Sequence, residues 1–299
     1  MILINQVYQD LLRLNLIKKK NIEVISERTR NAKVRVLREK KEGIIFLEKI
    51  ITNKDYYSRS YKSKLKKGRF ISETKFLNGK KIINKRVDDD QRRVKDLKRF
   101  ILNKNICDFG CGFGGFLLKS KPFAKKTIGI ELGKNCRNYL NKKKIINFKD
   151  INEYSDKFDL ITLFHTLHYI PDQIKTLKNL KSKLNKKGKV IIEVPHANDI
   201  LLKKDVLPEF KQFSFCKESL IWHTEKSLKL FLKKSGFKKI KIKLFQRYEL
   251  ENHMGWYLYR KPGGHEFFKN KIGNDLKNSY KKFIKKNKLT DSLIAIASI

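Results

Sequence analysis

Glycines and one carboxylate stand close together in residues 105–120, NICDFGCGFGGFLLKS. Gly110, Gly112 and Gly114 occupy alternate positions, and Asp108 lies two residues before the first of them. The glycine pattern alone also fits a dinucleotide fingerprint, in which a pyrophosphate lies at a helix N-terminus. A carboxylate directed into the loop would repel a pyrophosphate but attract an ammonium or a hydroxyl group. These residue types therefore favour a ligand that is cationic or rich in hydroxyl groups.

Histidines supply the candidate acid–base chemistry, because the pKa of imidazole lies near neutral pH. His165 and His168 follow one apolar run, and His196 follows another. Most histidines in such positions are structural, and among these we take His168 and His196 as the candidate catalytic bases.

The segment NHMGWYLYRKPGGH at 252–265 combines aromatic rings, cations and a glycine turn. Rings and cations suit a phosphorylated sugar, so His253, Trp256, Lys261 and His265 are candidate substrate-binding residues. A packed surface loop explains the same residues equally well.

The four cysteines, Cys107, Cys111, Cys136 and Cys216, show no paired spacing. No histidine or cysteine follows them at the spacing of metal ligands, so we expect free thiols and no metal.

Apolar runs rich in Ile and Val alternate with helical patterns from residue 105 onward. Strands are predicted at 105–110, 126–132, 145–150, 158–165, 189–195 and 238–249, and helices at 87–102, 172–188 and 224–237, with Gly188 ending the second of these helices. Strand and helix in this rhythm predict a parallel sheet with helices on both faces. The apolar tail 290–299 is predicted to form a last strand, antiparallel to 238–247.

The expected fold is α/β: a Rossmann-like seven-stranded sheet, mostly parallel with an antiparallel last strand. Residues 1–87 are predicted to be a small α+β accessory region, with a hairpin around Gly43 and a polar, Tyr-rich segment. Residues 88–299 would form the main domain, and 248–289 an insertion or lid before the last strand.

Residues 105–195 resemble the class I S-adenosylmethionine-dependent methyltransferases, whose first motif is an acidic residue followed by G-x-G-x-G. Glu131 matches the acidic residue that holds the ribose hydroxyls, and "KDI" at 149–151 matches the pair that brackets adenine. The resemblance implies S-adenosylmethionine as cofactor, with a binding set of Asp108, Gly110, Cys111, Gly112, Gly114, Glu131, Asp150, Ile151 and Phe164.

The acceptor is suggested by a softer resemblance of residues 190–265 to bacterial small-molecule methyltransferases of surface-polysaccharide and nucleotide-sugar gene clusters. This resemblance implies a small anionic acceptor, such as a nucleotide-linked or polysaccharide sugar. An RNA methyltransferase that uses the basic surface is the alternative. The Asn/Asp-Pro-Pro-aromatic motif of enzymes that methylate nucleobase amino groups is absent, and FHTLHYIPD stands in its place.

Charge leaves the choice of partner open. The chain carries 71 Lys and Arg against 30 Asp and Glu, a net charge of +41, but the lysines are spread along its whole length. Such a distribution is typical of a solvated surface, whereas nucleic-acid sites usually cluster Arg with aromatic residues.

The apolar N-terminus is interrupted by Asp10 and Arg13, so a short helix and a cytoplasmic protein without a membrane span are expected.

Overall fold

The computed structural model describes residues 3–52, 56, 74–77, 80–83, 89–203, 207–268 and 270–299. The strands are β1 Leu3–Ile4, β2 Ile22–Ser26, β3 Val36–Glu39, β4 Ile45–Leu47, β5 Lys49–Ile50, β6 Thr74–Leu77, β7 Lys80–Ile83, β8 Asn105–Phe109, β9 Lys126–Ile130, β10 Ile146–Phe148, β11 Phe158–Phe164, β12 Leu184–Pro195, β13 Ile221–Trp222, β14 Lys238–Phe245 and β15 Ser292–Ser298. The helices are α1 Gln6–Arg13, α2 Asp89–Ile101, α3 Gly115–Ser120, α4 Lys134–Lys142, α5 Gln173–Ser182, α6 Pro208–Ser214, α7 Glu225–Lys234, α8 Leu250–Tyr259, α9 Gly264–Phe267 and α10 Asn274–Lys286. Most of the polar segment predicted at 53–81 lies outside the described residues.

The central sheet has seven strands in the order β10-β9-β8-β11-β12-β15-β14. The first five strands are parallel to one another, and β15 runs antiparallel to both β12 and β14. The predicted Rossmann-like sheet with an antiparallel last strand is therefore confirmed, including the assignment of the apolar tail to β15. The carboxyl ends of β8, β9, β11 and β12 meet at one edge, where open α/β sheets bind ligands.

The helix predicted at 172–188 is shorter than expected. Helix α5 ends at Ser182 and strand β12 begins two residues later, so Gly188 lies inside a strand and does not end a helix. Leu184 pairs with Phe158 of β11 and is 2% exposed, so the strand buries this side chain through a partner from another part of the chain. The length of the apolar spacing alone could not show this switch.

A second, four-stranded antiparallel sheet has the order β13-β4-β3-β2. Strands β3 and β4 form the hairpin predicted around Gly43, which has a left-handed φ of +72°. Strand β13 lies about 175 residues after β4 in the chain, and its Ile221 pairs with Phe46 of β4. The N-terminal hairpin is thus hydrogen-bonded to a segment of the predicted main domain, and a domain boundary near residue 88 stays a prediction.

Helices α8, α9 and α10 form the insertion between β14 and β15. Ile284 of α10 is buried, and Trp256 of α8 packs with Leu201 and Leu207 in a small apolar cluster of its own. A lid role for this insertion stays a prediction.

No helix within the described residues is long and apolar enough to cross a membrane. All four cysteines fall in the described part of the chain and are free thiols.

Candidate active site

The glycine loop begins where β8 ends and closes against two neighbouring segments. The Gly110 N–H donates to the Ile130 carbonyl at 2.8 Å. Gly110 has a φ of +76°, and a Cβ there would lie 2.4 Å from Cγ2 of Thr166, so only glycine lets the two loops meet. Gly112 is also left-handed, but a Cβ on it would meet no described atom within 4 Å. The loop is therefore closed at Gly110 and open at Gly112.

Asp108 lies under this loop with only 4% of its surface exposed. The Thr162 hydroxyl donates to Asp108 Oδ1 at 2.7 Å. Burial raises the pKa of Asp108 to about 7, and the bond from Thr162 and the charge of Arg93 oppose this shift only in part. The carboxylate thus lies in a place where a cation would stabilise its charged form.

Glu131 follows β9 at the same edge of the sheet and is also buried. Its Oε2 accepts the Gly112 N–H at 2.8 Å, and its Oε1 accepts the Gly133 N–H at 2.7 Å. Burial raises the pKa of Glu131, and these two backbone hydrogen bonds act against the shift. They fix both oxygens beside the open face of the loop, where each keeps a lone pair for a further donor.

A buried ionic cluster lies at the ends of β11 and β12. Glu193, 1% exposed, accepts paired hydrogen bonds from Arg93 at 2.9 and 3.2 Å and from Arg92 at 2.9 and 3.0 Å. Burial alone would raise the pKa of Glu193, but the His165 hydrogen bond and the Arg93 charge hold it well below its usual range. The cluster continues outward, where Arg247 donates through Nε to Asp89 at 2.7 Å.

His165 is a half-buried member of this cluster, with 23% of its side chain exposed. It has a left-handed φ of +50°, a conformation that non-glycine residues adopt mainly at constrained or functional positions. Its Nε2 lies 3.1 Å from Glu193 Oε1. Because a carboxylate can only accept, Nε2 carries the proton and Nδ1 of the neutral ring is a free base. Burial lowers the pKa of His165, the bond to Glu193 opposes this, and Arg247 and Arg93 add to the lowering.

The family model described as "Methyltransferase domain" matches residues 85–242, which is more than half of the chain. The chain belongs to this methyltransferase family. The matched segment contains the glycine loop, both buried carboxylates and the His165–Glu193 pair.

Similar proteins were found among curated sequences. An uncharacterized protein of Methanocaldococcus jannaschii is 32% identical over 120 residues, which cover 39% of this chain and 52% of that protein. The tRNA U34 carboxymethyltransferase of Campylobacter jejuni is 28% identical over 160 residues, 50% of this chain and 54% of that enzyme. The chain thus spans about half the length of the curated relatives that it matches.

Among solved structures, the phosphoethanolamine N-methyltransferase 2 of Haemonchus contortus in complex with S-adenosylmethionine superposes with a TM-score of 0.50. It is 17% identical, and the match covers 85% of this chain and 61% of that one. The fold is therefore shared with class I methyltransferases. This shared fold agrees with the methyltransferase domain that the family model places at residues 85–242.

The buried carboxylates of this methyltransferase domain would fit S-adenosylmethionine by their chemistry. Asp108 has a raised pKa in a buried place, so an ammonium group nearby would meet a carboxylate that gains from the charge. Glu131 presents two fixed oxygens to hydroxyl donors, and Gly112 leaves open space beside it. Leu132, 51% exposed at the same edge, offers an apolar surface to a flat ring.

The other predicted cofactor residues lie around this site in different ways. Asp150 is exposed and caps the short helix Ile151–Glu153, accepting the Asn152 N–H at 2.8 Å, and Ile151 is buried in the core. Phe164 lies edge-on against Phe116, with ring centroids 4.9 Å apart.

Cys111 and Gly114 complete the loop. The Gly114 N–H donates to the Cys111 carbonyl at 2.9 Å, and Gly114 is the N-cap of helix α3. Burial raises the pKa of the Cys111 thiol well above its ordinary value.

His168 and His196, the predicted bases, are both buried. His196 donates through Nδ1 to the Thr290 carbonyl at 2.8 Å, and burial lowers its pKa to about 4. His168 Nδ1 has no hydrogen-bond partner among the described residues, and burial lowers the pKa of this ring well below its usual value. Their catalytic role stays a prediction, and their burial favours a structural one.

The predicted substrate residues of the insertion also have structural surroundings. His253 hydrogen-bonds through Nδ1 to the Tyr280 hydroxyl at 2.7 Å, which joins α8 to α10. Trp256 is 2% exposed and packs against Phe210. Lys261 is exposed with its Nζ 5.4 Å from the centre of the Phe267 ring, and His265 lies on α9.

Sequence reasoning missed the ionic cluster and Leu132. One signal was present, because an acidic residue inside the apolar run KVIIEVP is rarely buried without a partner. That signal indicates that Glu193 has a buried partner, but it does not show that the partners are Arg92 and Arg93.

Proposed function

We propose that this methyltransferase holds S-adenosylmethionine between Asp108, Gly112 and Glu131 and uses His165 as the base for an anionic acceptor. The observation that carries the proposal is the His165–Glu193 pair, which lies at the carboxyl edge of the sheet next to the glycine loop. The connection is short, because Thr166, the next residue after His165, packs directly over Gly110.

The cofactor, when bound, supplies an electrophilic methyl group on a cationic sulfur. Asp108 would bind the ammonium end and Glu131 the hydroxyl groups, which leaves the methyl group to be aligned by the loop backbone. Alignment of this kind supplies a large part of the rate in displacement reactions.

His165 would take the proton of the acceptor. Its Nδ1 is unprotonated at neutral pH, and Glu193 holds the ring in that tautomer through Nε2. An imidazolium formed at His165 would face the Glu193 carboxylate, whose charge is already shared with Arg92 and Arg93.

RNA is the first acceptor class to test. The net charge of +41 would draw a polyanion to the protein, and curated relatives carry the name of a tRNA-modifying enzyme. A small anionic acceptor, such as a nucleotide-linked sugar, is the second. The even spread of lysines along the chain and the absence of the Asn/Asp-Pro-Pro-aromatic motif support it.

The test measures transfer of a labelled methyl group from S-adenosylmethionine to two separate pools, total RNA and nucleotide-linked sugars. His165→Asn is the informative variant, because Asn tolerates the left-handed backbone and lacks the imidazole. We expect it to bind the cofactor normally and to lose about 100-fold or more in turnover, the usual loss for a general base.

His196→Asn is the control from the predicted bases. We expect it to lower the melting temperature through the lost bond to Thr290 while its folded fraction keeps turnover. Full activity of His165→Asn, or transfer to neither pool by the wild-type protein, would contradict the proposal.

A further inference from the structure

A cleft of about 260 Å³ lies between the N-terminal hairpin and the segment that follows β12. One wall is the turn between β3 and β4, and the other begins at Ala197, two residues after Pro195. The cleft is lined by Arg38, Lys40, Lys41, Glu42, Gly43, Ala197, Asn198, Asp199 and Lys203.

Backbone hydrogen bonds hold the two walls together. Strand β4 pairs with β13, and the Ala197 N–H donates to the carbonyl of His223, the residue after β13, at 2.9 Å. Across the cleft, Arg38 Nη2 donates to the Leu202 carbonyl at 2.9 Å. At the hairpin turn a Cβ on Gly43 would lie 3.2 Å from Asn198 Oδ1, so the walls approach closely there. These hydrogen bonds fix the positions of both walls of the cleft.

The cations of the cleft outnumber its effective negative charges. Glu42 is engaged by Lys226, whose Nζ lies 2.6 Å from its Oε1. Asp199 is buried, and burial raises its pKa to about 8, with the Asp291 charge adding to the shift. Asp199 is therefore largely uncharged at neutral pH and does not cancel the four cations.

The geometry points to a binding site for a phosphate group of the acceptor in this hairpin cleft, an inference that rests on the proposed function. Arg38 has five N–H donors in a planar fork that matches phosphate oxygens, and the bond to Leu202 uses one of them. Lys40, Lys41 and Lys203 add point charges from both walls. The cleft follows the carboxyl end of β12, the edge that also carries Asp108, so a bound phosphate would anchor the acceptor on the reactive side of the sheet.

The direct test is calorimetric binding of inorganic pyrophosphate to the 299-residue protein. Lys40→Ala/Lys41→Ala removes two charges from the hairpin wall, and Lys203→Ala removes one from the opposite wall. Lys281→Ala/Lys282→Ala on exposed positions of α10 is the charge-matched control. We expect about a tenfold weakening or more in each cleft variant and little change in the control.

Equal weakening in cleft and control variants, or no binding of pyrophosphate to the wild-type protein, would overturn the inference. Parallel titrations with a nucleoside diphosphate and with a short single-stranded RNA identify the source of the phosphate. If RNA is the source, its salt dependence should fall by about one unit of slope for each lysine removed from the cleft.

Titration of S-adenosylmethionine into the same variants keeps the two proposals apart. Cleft variants should bind it as the wild-type protein does. A wild-type protein that binds pyrophosphate in the cleft but does not bind S-adenosylmethionine would refute the proposed function and leave the anion site standing.

Discussion

Asp108 provides the sharpest test of how the cofactor is bound. Its carboxyl is buried, accepts a hydrogen bond from Thr162 at 2.7 Å and has its pKa raised by burial to about 7. Asp108→Asn keeps the shape and the acceptor oxygen but removes the charge. An ammonium about 4 Å from a carboxylate gains about 4 kcal/mol at an effective dielectric constant of about 20. Since the Asn dipole keeps part of this, we expect a loss of about 2–3 kcal/mol, or about 30- to 150-fold in Kd.

The same carboxyl makes the affinity depend on pH, and the sign follows from its raised pKa. Binding of a cation requires the charged form, so affinity rises with pH until Asp108 is ionised. With a pKa of about 7, ionising the carboxyl costs about 0.2 kcal/mol at about pH 7.5 and about 2 kcal/mol at about pH 5.5. The wild-type Kd should therefore rise about 25-fold between these two pH values.

Isothermal titration of S-adenosylmethionine at both pH values measures these effects. Asp108→Asn should show a nearly constant Kd, close to that of the wild-type protein at the lower pH. Asp275→Asn, an exposed carboxyl on α10, is the matched control and should follow the wild-type curve. If Asp108→Asn bound as tightly as the wild-type protein at about pH 7.5, the assignment of Asp108 to the ammonium group would be refuted.

Three further predictions concern the loop, the insertion and stability. Gly110→Ala should destabilise the fold strongly, because its Cβ would clash with Thr166. Gly112→Ala should cost about 1–2 kcal/mol of stability and mainly weaken cofactor binding. Thermal denaturation measures the loss of stability in each variant, and cofactor titration measures the loss of affinity. Trp256→Ala should lower stability by about 3–5 kcal/mol because the ring is buried, and an unchanged melting temperature would show that this ring contributes little to the core. Burial lowers the pKa of His223 to about 3, so between about pH 3 and 6.5 the ring is neutral in the folded state and protonated in the unfolded state. The stability of the wild-type protein should therefore fall as the pH drops below about 6.5. Between neutral pH and about pH 5, the wild-type protein should lose about 2 kcal/mol more of its unfolding free energy than His223→Gln, as measured by urea denaturation. Equal losses in the two proteins would refute the argument.

The central sheet was predictable because its information is local. Each parallel strand is a short apolar run between helical patterns, and burial of both faces of the sheet requires that run. Gly188 is an exception, because Leu177, Leu180 and Leu184 stand at helical spacing and a glycine is a common residue just after a helix. The strand nevertheless begins at Leu184, which pairs with Phe158 of another strand, and such a distant partner is not visible in the local pattern.

The candidate site was predictable where one loop contains it and not where distant segments meet. Asp108 and Gly112 lie four residues apart, so their spacing carries the motif. His165, His168 and His196 all follow strands in the same way, and the sequence does not distinguish the half-buried ring of His165 from the two buried ones. What distinguishes His165 is its contact with Glu193, 28 residues further along the chain.

The ionic cluster also could not be predicted from the sequence, because it joins side chains from distant segments. Glu193 is buried in a strand, where an unpaired carboxylate would cost several kcal/mol. Helix α2 compensates by placing Arg92 and Arg93 against it, about 100 residues earlier in the chain. Periodicity predicts the helix but does not show which face of it meets which strand.

Net charge and charge position answer different questions in this protein. A charge of +41 spread along the chain attracts any polyanion, but at about 0.1 M salt such attraction is screened beyond about 10 Å. Recognition of a particular acceptor must therefore come from cations whose positions are fixed. Arg38 meets this condition, because its guanidinium is tied to the Leu202 carbonyl across the cleft. If the acceptor is held there, raising the salt concentration should weaken its binding less steeply than the total charge implies, since only the few cations of the cleft would contact its phosphates.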